Sequence, residues 1–418
     1  MDVIVERCAG LDVHRDSVVS TVRVPGQGRR QWDQQTQTFK STLAGLAALA
    51  GWLSDTGVTR VGMEATGVYW KTVFQALEDR FECWLLNAHH MRNVPGRKTD
   101  VKDSEWICQL VAHGLVRPSF VPPVEIRRLR DLTRLRAAQT NERTRTIQRL
   151  EKVLQDAGIK LSSVASTTYS KSARAMLEAL LTGVTDPEQL AELSKGKMRA
   201  KIPELREALQ GRFRVEHHGV MVAQLLAHID TLDAALQNLS ERIELVLAPH
   251  AEIVELLSTI PGVQVKAAQV LIAECGLDMS VFPTVGHFAS WAGACPGHHQ
   301  SAGHRRSGRT RPGPAWLTSQ LTECARAAAR TKDTYLAAHY AQLRGRRGEQ
   351  KAIGAIRHDL LVAYFHIVRD QVPYRDLGPD WQRKRYSVEH RAARLQRQLE
   401  ALGYAVTLEQ TDPAEQAA

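Results

Sequence analysis

Eight apolar residues, Val222, Leu225, Ile229, Leu232, Leu236, Leu239, Ile243 and Val246, follow one another at spacings of 3-4-3-4-3-4-3. A strand cannot use that spacing, because its side chains alternate between faces with a period of two. The segment therefore predicts one long helix with a narrow apolar seam, and such a seam has to be covered by another helix. Upstream, Ile126 to Leu154 is basic, helix-favouring and free of Pro and Gly, with apolar residues at Ile126, Leu129, Leu132 and Leu135 and again at Ile147, Leu150 and Leu154. Two pairings are open: an intramolecular hairpin between these segments, or a coiled coil with a second protomer. Pro249 closes the heptad helix.

The first 110 residues read differently. Val3–Ile4–Val5 leads into Ala9 to Val13, Val18 to Val24 forms a partner strand ended by Pro25–Gly26, and Arg60 to Glu64 and Phe81 to Leu86 are further strands. Between them, Phe39 to Leu53 (Leu43, Leu46, Leu49, Leu53) and Tyr69 to Leu77 have helical spacing. This mixture predicts an α/β domain with a mixed sheet. Pro118 to Pro123 punctuates the chain. Ser162 to Gly211 predicts short helical pieces. Ala251 to Leu257 and Val265 to Cys275 predict two helices joined at Ile260–Pro261–Gly262–Val263. Beyond Pro283 a Gly-, Arg- and His-rich stretch runs to Gly313, and helices return over Ala315 to Leu343 and Ala352 to Arg369. The expected organisation is an α/β domain over 1–123, a helical or coiled-coil connector over 124–250, a mainly α-helical domain over 251–378 and a charged tail over 379–418, with Val388 to Leu402 helical.

Composition narrows the function classes. A formal net charge of +10 favours polyanionic partners. No run approaches the 18 consecutive apolar residues of a spanning helix, and Asp2, Glu6 and Arg7 leave no apolar signal-peptide core. The expectation is a cytoplasmic protein with no membrane partner. Cys8, Cys83, Cys108, Cys275, Cys295 and Cys324 are scattered, with no C-x-x-C pair. That pattern indicates buried reduced thiols rather than a disulfide framework or a zinc site.

Four carboxylates sit where phosphoryl-transfer chemistry would want them. Asp12 lies at the end of the first strand, in Gly10–Leu11–Asp12–Val13–His14, and Glu64 ends another, in Gly62–Met63–Glu64–Ala65–Thr66–Gly67. Asp100 and Asp103 open a helix in Lys98–Thr99–Asp100–Val101–Lys102–Asp103, where a spacing of i, i+3 gives them one face. Convergent carboxylates need a neutralising cation, and divalent magnesium accepts an all-oxygen ligand set. Two ions about 4 Å apart would activate an attacking oxygen and stabilise a leaving one. Taken singly, each acid reads better as a helix-end or loop charge. His89 and His90 are adjacent and on a strand would face opposite ways, which does not favour joint chelation.

A second informative stretch is Gly293 to Arg311, where Arg305, Arg306, Arg309 and Arg311 follow Ser301 within eleven residues. From Ser301 to Lys351 eleven basic residues face three acids, Glu323, Asp333 and Glu349, as a phosphate-binding footprint requires. A serine in such a loop is a plausible nucleophile, because positive charge favours its alkoxide and stabilises a phosphoryl transition state. Spacing alone favours ordinary loop serines at both Ser301 and Ser307, and it does not separate the two. The Ile260–Val263 turn has the logic of a helix-hairpin-helix, in which Gly262 and the following helix N-terminus offer backbone N–H groups to a phosphate.

The phrases GLDVHRD, GMEATGVYW and NAHHMRNVPGRKTDVKD closely resemble the DEDD transposases of the insertion-sequence 110 family. The resemblance implies a RuvC-like N-terminal domain, related to RNase H and to Holliday-junction resolvases, with Asp12, Glu64, Asp100 and Asp103 as a magnesium-binding tetrad. Ser104 stands where alanine is expected after the last aspartate. Ile260 to Gly378 resembles the family's C-terminal transposase domain, and Gln300–Ser301–Ala302–Gly303 falls on its serine nucleophile. His304 stands where lysine is commoner and Pro314 where asparagine is expected. What the resemblance implies is DNA strand exchange through a covalent serine–DNA link, in a homo-oligomer (dimer or tetramer) with sites composed across protomers, guided by a structured non-coding RNA. Lys98, Gly262, Arg305, Arg306, Arg309 and Arg311 are the expected nucleic-acid contacts. Three other readings stay open: a RuvC-like structure-selective nuclease or junction resolvase in which Ser301 is incidental, a non-catalytic nucleic-acid-binding protein, and a coiled-coil regulator.

Overall fold

The computed structural model describes residues 3–26, 31–65, 67–87, 91, 103–165, 169–297, 299–306, 310, 312–381 and 388–408. The chain divides into two compact units, Met1–Pro122 and Pro123–Ala418.

The first unit is built on a five-stranded sheet with the order β3-β2-β1-β4-β5. The strands are β1 (Cys8–Val13), β2 (Ser17–Pro25), β3 (Trp32–Lys40), β4 (Arg60–Glu64) and β5 (Glu82–Leu86). β1, β2 and β3 form an antiparallel meander, while β4 and β5 run parallel to β1. The alternation along β1 divides its side chains cleanly. Ala9, Leu11 and Val13 join Val61, Met63 and Leu85 under helices α1 (Leu43–Asp55) and α2 (Trp70–Leu77). Cys8 and Leu86 lie on the opposite face with Ile107, Cys108 and Val111 of helix α3 (Asp103–Ala112). The result is three layers, with apolar side chains on both sheet faces.

Two sequence expectations fail here. Trp32–Lys40 is a strand that the apolar pattern does not reveal, because an edge strand with both faces largely wet carries no such pattern. Phe39 belongs to this strand and packs on Trp52 of α1, with ring centroids 5.5 Å apart. The helix starts only after Thr42, whose hydroxyl accepts the Gly45 N–H. Leu43, one of the residues at helical spacing, is therefore in the first turn and 86% exposed.

In the second unit, α4 (Val124–Asp156) and α8 (Val220–Leu247) lie antiparallel. Arg143 bridges Asp233 midway, and Asp156 at the end of α4 meets His218 just before α8, at 3.2 Å. The heptad seam is thus covered within the chain. Val222, Ile229, Leu232 and Ile243 are buried, and Leu225, Leu236, Leu239 and Val246 half-buried. On α4 the buried stripe is Ile126, Leu129, Thr133, Arg136, Thr146, Leu150 and Leu154. Leu135 is 48% exposed, while Arg136 goes inside to give Gln269 a 2.7 Å hydrogen bond. Helices α5 (Lys171–Leu181), α6 (Pro187–Glu192) and α7 (Ile202–Ala208) share a core with Leu150, Leu154, Val222 and Ile229 at one end of the pair.

The remainder comprises α9 (Ala251–Ser258), α10 (Val265–Cys275), α11 (Val285–Trp291), the hairpin β6 (His299–Ser301) and β7 (His304–Arg306), α12 (Ala315–Ala328), α13 (Tyr335–Arg347), α14 (Glu349–Asp370) and α15 (Val388–Glu400). Tyr364 of α14 is fully buried and donates to the Gly276 carbonyl at 2.6 Å. Val215–Ser258 is long and apolar enough to cross a membrane by length and composition alone, which qualifies the sequence expectation. The stretch nevertheless carries Asp230, Asp233, Glu241, Arg242 and Glu244, and its seam is packed on α4.

Candidate active site

Asp12 and Glu64 are brought together by strand register. Leu11 pairs with Met63 across the parallel β1–β4 ladder, so the next residues on each strand, Asp12 and Glu64, are lateral neighbours. Adjacent strands lie about 4.8 Å apart. Both residues follow a glycine, Gly10 or Gly62, by two positions and so share that glycine's face, the one α3 covers. They also sit at the carboxyl ends of two parallel strands, the usual place for a site on such a sheet.

Asp12 keeps partial access to solvent, with its side chain 23% exposed, and its Oδ2 lies 3.0 Å from His14 Nε2. His14 is a neighbour the sequence analysis did not single out, although the i, i+2 spacing on an extended segment is the signal that would have found it. Glu64 is half-buried. Asp103 is the first residue of α3 and is exposed. Asp100 and Lys98, like His89 and His90, lie outside the described residues, so the expected i, i+3 face is not visible.

α3 rests directly on the sheet. A Cβ on Gly10 would stand 2.2 Å from the Ser104 carbonyl oxygen and 2.3 Å from the Cys108 nitrogen. Cys108 faces Cys8 with the two Sγ atoms 3.8 Å apart, both buried. The hydrogen bond with Cys8, together with burial, pushes the Cys108 thiol well above its ordinary range. All six cysteines are free; four are buried, and Cys83 and Cys295 are half-buried.

Among the described residues, Asp12, Glu64 and Asp103 do not form a trio with ligand atoms within 4.8 Å of one another. The group that does is Asp156, His217 and His218, in the second unit. Its hydrogen bonds argue against a metal. His218 Nδ1 accepts the Arg214 backbone N–H at 3.0 Å, so Nε2 carries the proton of the neutral ring and faces Asp156 Oδ2 at 3.2 Å. A ring held in that tautomer has no free lone pair for an ion.

Ser301 ends β6 and pairs with His304 across a two-residue turn. Ala302 (φ 49°) and Gly303 (φ 79°) both lie in the left-handed region, the geometry of a tight hairpin turn. Holding an alanine there costs about 1 kcal/mol. A bridge between Pro296 and Thr310 closes the base of the loop. The side chains of Ser301, Arg305 and Arg306, and all of Ser307, Arg309 and Arg311, lie outside the description.

Gly262 has φ 85°, and a Cβ there would stand 2.5 Å from Ala328 N and Cys324 O. Its first role is therefore close packing against the last turns of α12. The start of α10 beside it is open: Gln264, Val265 and Lys266 are exposed, and no side chain caps the helix.

Residues 9–159 match the family model of DEDD transposases of the IS110 type, and residues 254–341 match the one described as Transposase IS116/IS110/IS902 family. The chain belongs to the IS110 family of DEDD transposases. This transposase is accordingly an enzyme that cleaves and recombines DNA, and its family uses divalent metal ions. A search of curated proteins finds no match to the transposase. The donor chemistry of its first unit suits a hard cation, since Asp12, Glu64 and Asp103 offer oxygen ligands alone.

Proposed function

We propose that the transposase cuts and rejoins DNA with a carboxylate site made of Asp12, Glu64, Asp100 and Asp103 and with Ser301 as nucleophile. The observation that carries the reading is the side-by-side placement of Asp12 and Glu64 on the face crossed by α3, which itself begins at Asp103. The strand order β3-β2-β1-β4-β5, with β2 antiparallel, supports a RuvC-like, RNase H-related assignment of the first unit. Magnesium, as two ions, would supply charge neutralisation and Lewis acidity to phosphoryl transfer.

The chain's own residues do the rest. Ser301 gives up its hydroxyl proton as Oγ attacks phosphorus, forming a serine–phosphate bond while the bond to one sugar oxygen breaks and that oxygen takes up a proton. A hydroxyl of a second strand then loses its proton and attacks the same phosphorus, and Ser301 Oγ leaves and is reprotonated, so no high-energy cofactor is consumed. The tight turn after Ser301 supports the assignment, because it fixes the backbone on which the hydroxyl sits. Lys98, Gly262, Arg305, Arg306, Arg309 and Arg311 hold nucleic-acid phosphates in this reading, in keeping with the net charge of +10. A structured guide RNA and a homo-oligomeric assembly follow from the family resemblance. The heptad seam packs on α4 of the same chain.

A structure-selective nuclease is the second reading, favoured by the fact that the acids are seated in a unit of their own. One experiment separates the two. Protein, magnesium, element-end DNA and flanking transcript are mixed, denatured and resolved beside Ser301→Ala and Asp100→Asn. A denaturant-resistant protein–DNA adduct in wild type alone supports the serine mechanism. Cleavage without adduct that survives Ser301→Ala refutes it.

A further inference from the structure

Gly62, Gly10, Thr21 and Thr36 stand in register across β4, β1, β2 and β3. They form one row beneath α3. The two glycines make a trough: a Cβ at Gly62 would lie 2.5 Å from Val111 Cγ2, and one at Gly10 would meet the α3 backbone itself. Such a floor sets how close the helix comes to the sheet, but it has no feature that stops the helix sliding along its own axis. Dispersion contacts between a helix and a smooth glycine floor are non-directional.

The row ends in hydroxyls. Thr21 Oγ1 lies 2.9 Å from Ser104 Oγ and 2.9 Å from Thr36 Oγ1. Thr21 and Ser104 are both fully buried. A hydrogen bond loses most of its strength once its geometry is off by an ångström or some tens of degrees. The far end of α3 is tied by the Ile4 and Val5 N–H groups to the Ala112 carbonyl, at 2.9 and 3.0 Å, and Cys108 meets Cys8 midway, so the Thr21–Ser104 bond is the directional tie at the Asp103 end of the helix. Ser104 directly follows Asp103, and Thr21 is the cross-strand partner of Gly10, two residues before Asp12.

We propose that Thr21 and Ser104 are positioning residues of the carboxylate site: their hydroxyl bond indexes α3 along the Gly10–Gly62 trough and so sets Asp103 against Asp12 and Glu64. The inference rests on the reading of those acids as the metal site. A buried pair that merely satisfies its own hydrogen bonds would affect stability alone. A pin would change how tightly the carboxylates hold a cation at temperatures where the protein is fully folded.

The test is Mn2+ binding to the full-length protein, followed by electron paramagnetic resonance, with the magnesium dependence of DNA cleavage measured in parallel. Thr21→Val and Ser104→Ala should each weaken Mn2+ binding about three- to tenfold, less than the loss seen when a group bonded directly to a ligand is removed. Thr21→Ser, which restores the hydroxyl, should bind as wild type does. Ser104→Ala leaves Thr21 bonded to Thr36, so it keeps the test open if Thr21→Val folds poorly. Thr146→Val, a buried hydroxyl lost in the other unit, should change nothing. Unaltered Mn2+ affinity in both Thr21→Val and Ser104→Ala, while Asp12→Asn loses it, overturns the pin alone. Wild-type affinity in Asp12→Asn overturns the metal-site reading and the pin with it.

Discussion

Glu274 is the residue on which we expect the second unit's stability to depend most sharply. It lies in the last turn of α10 and is 1% exposed. Its carboxylate takes both Arg134 donors, at 2.7 and 2.8 Å, and lies 3.6 Å from Arg130. Arg130 in turn donates to the Ala273 and Glu274 carbonyls at 2.9 and 2.8 Å, closing the C-terminus of α10. Glu274→Ala leaves both guanidiniums without their counter-ion. Breaking a buried pair costs about 3–5 kcal/mol. Arg130 and Arg134 are 19% and 32% exposed, so water screens part of the loss and the low end, about 3 kcal/mol, is the appropriate figure. For a cooperative unit of about 300 residues that lowers Tm by roughly 5 °C. Scanning calorimetry of the full chain measures it. Glu274→Met combined with Arg134→Met should recover only part of the loss, because an apolar pair replaces one buried ion pair at little cost while Arg130 still lacks its counter-ion. A Tm shift below about 2 °C for Glu274→Ala would refute the clamp.

Two further expectations concern packing and pH. Gly10→Ala should destabilise the first unit by about 3 kcal/mol or more, because the new Cβ meets backbone atoms of α3 at 2.2 and 2.3 Å and cannot be relieved by a rotamer change; limited proteolysis should then cut around α3 first, and a wild-type digestion pattern would count against the close seating. Burial pushes the Asp359 carboxyl up, but hydrogen bonds and charge from His339 and His358 outweigh it and hold the group below its ordinary value of 3.8. A depressed carboxyl stabilises the fold above that value and loses its contribution as pH falls through the lower folded value. Urea unfolding below pH 4 should therefore show a shallower pH slope for Asp359→Asn than for wild type, and equal slopes would contradict it.

Much of the fold is legible in single segments. Arg60–Glu64 and Val265–Cys275 match their sequence readings at both ends, the second because Gly276, with φ 77°, closes the helix where a glycine follows the last apolar turn. The heptad helix is legible for the same reason, since a 3-4 spacing has one structural solution. Trp32–Lys40 is not legible: Gln34, Gln35, Gln37 and Thr38 are exposed at a sheet edge, and a strand wet on both faces leaves no periodic mark. Leu135 and Arg136 show the complementary failure. A long arginine with a buried amide partner takes the inward position, and the leucine beside it turns out to solvent.

The candidate site divides along the same line. Residue type and local context mark Asp12, Glu64 and Asp103 as acids at strand and helix ends, and the motifs around them resemble one family. Their convergence is another matter. Asp12 and Glu64 become neighbours only through the β1–β4 register, across 52 positions of chain, and α3 reaches them only because Gly10 and Gly62 leave room for its backbone. Hydrophobic periodicity states which face of an element must be covered but not by what, because burial of apolar area is non-directional. Local pattern is therefore enough for most of the helices, the central strands and the chemical character of the acids and the arginine loop. Tertiary structure decided that α8 pairs with α4, that Glu274 lies between Arg130 and Arg134, and that Thr21 meets Ser104, because those choices depend on close, directional contacts between residues far apart in the chain.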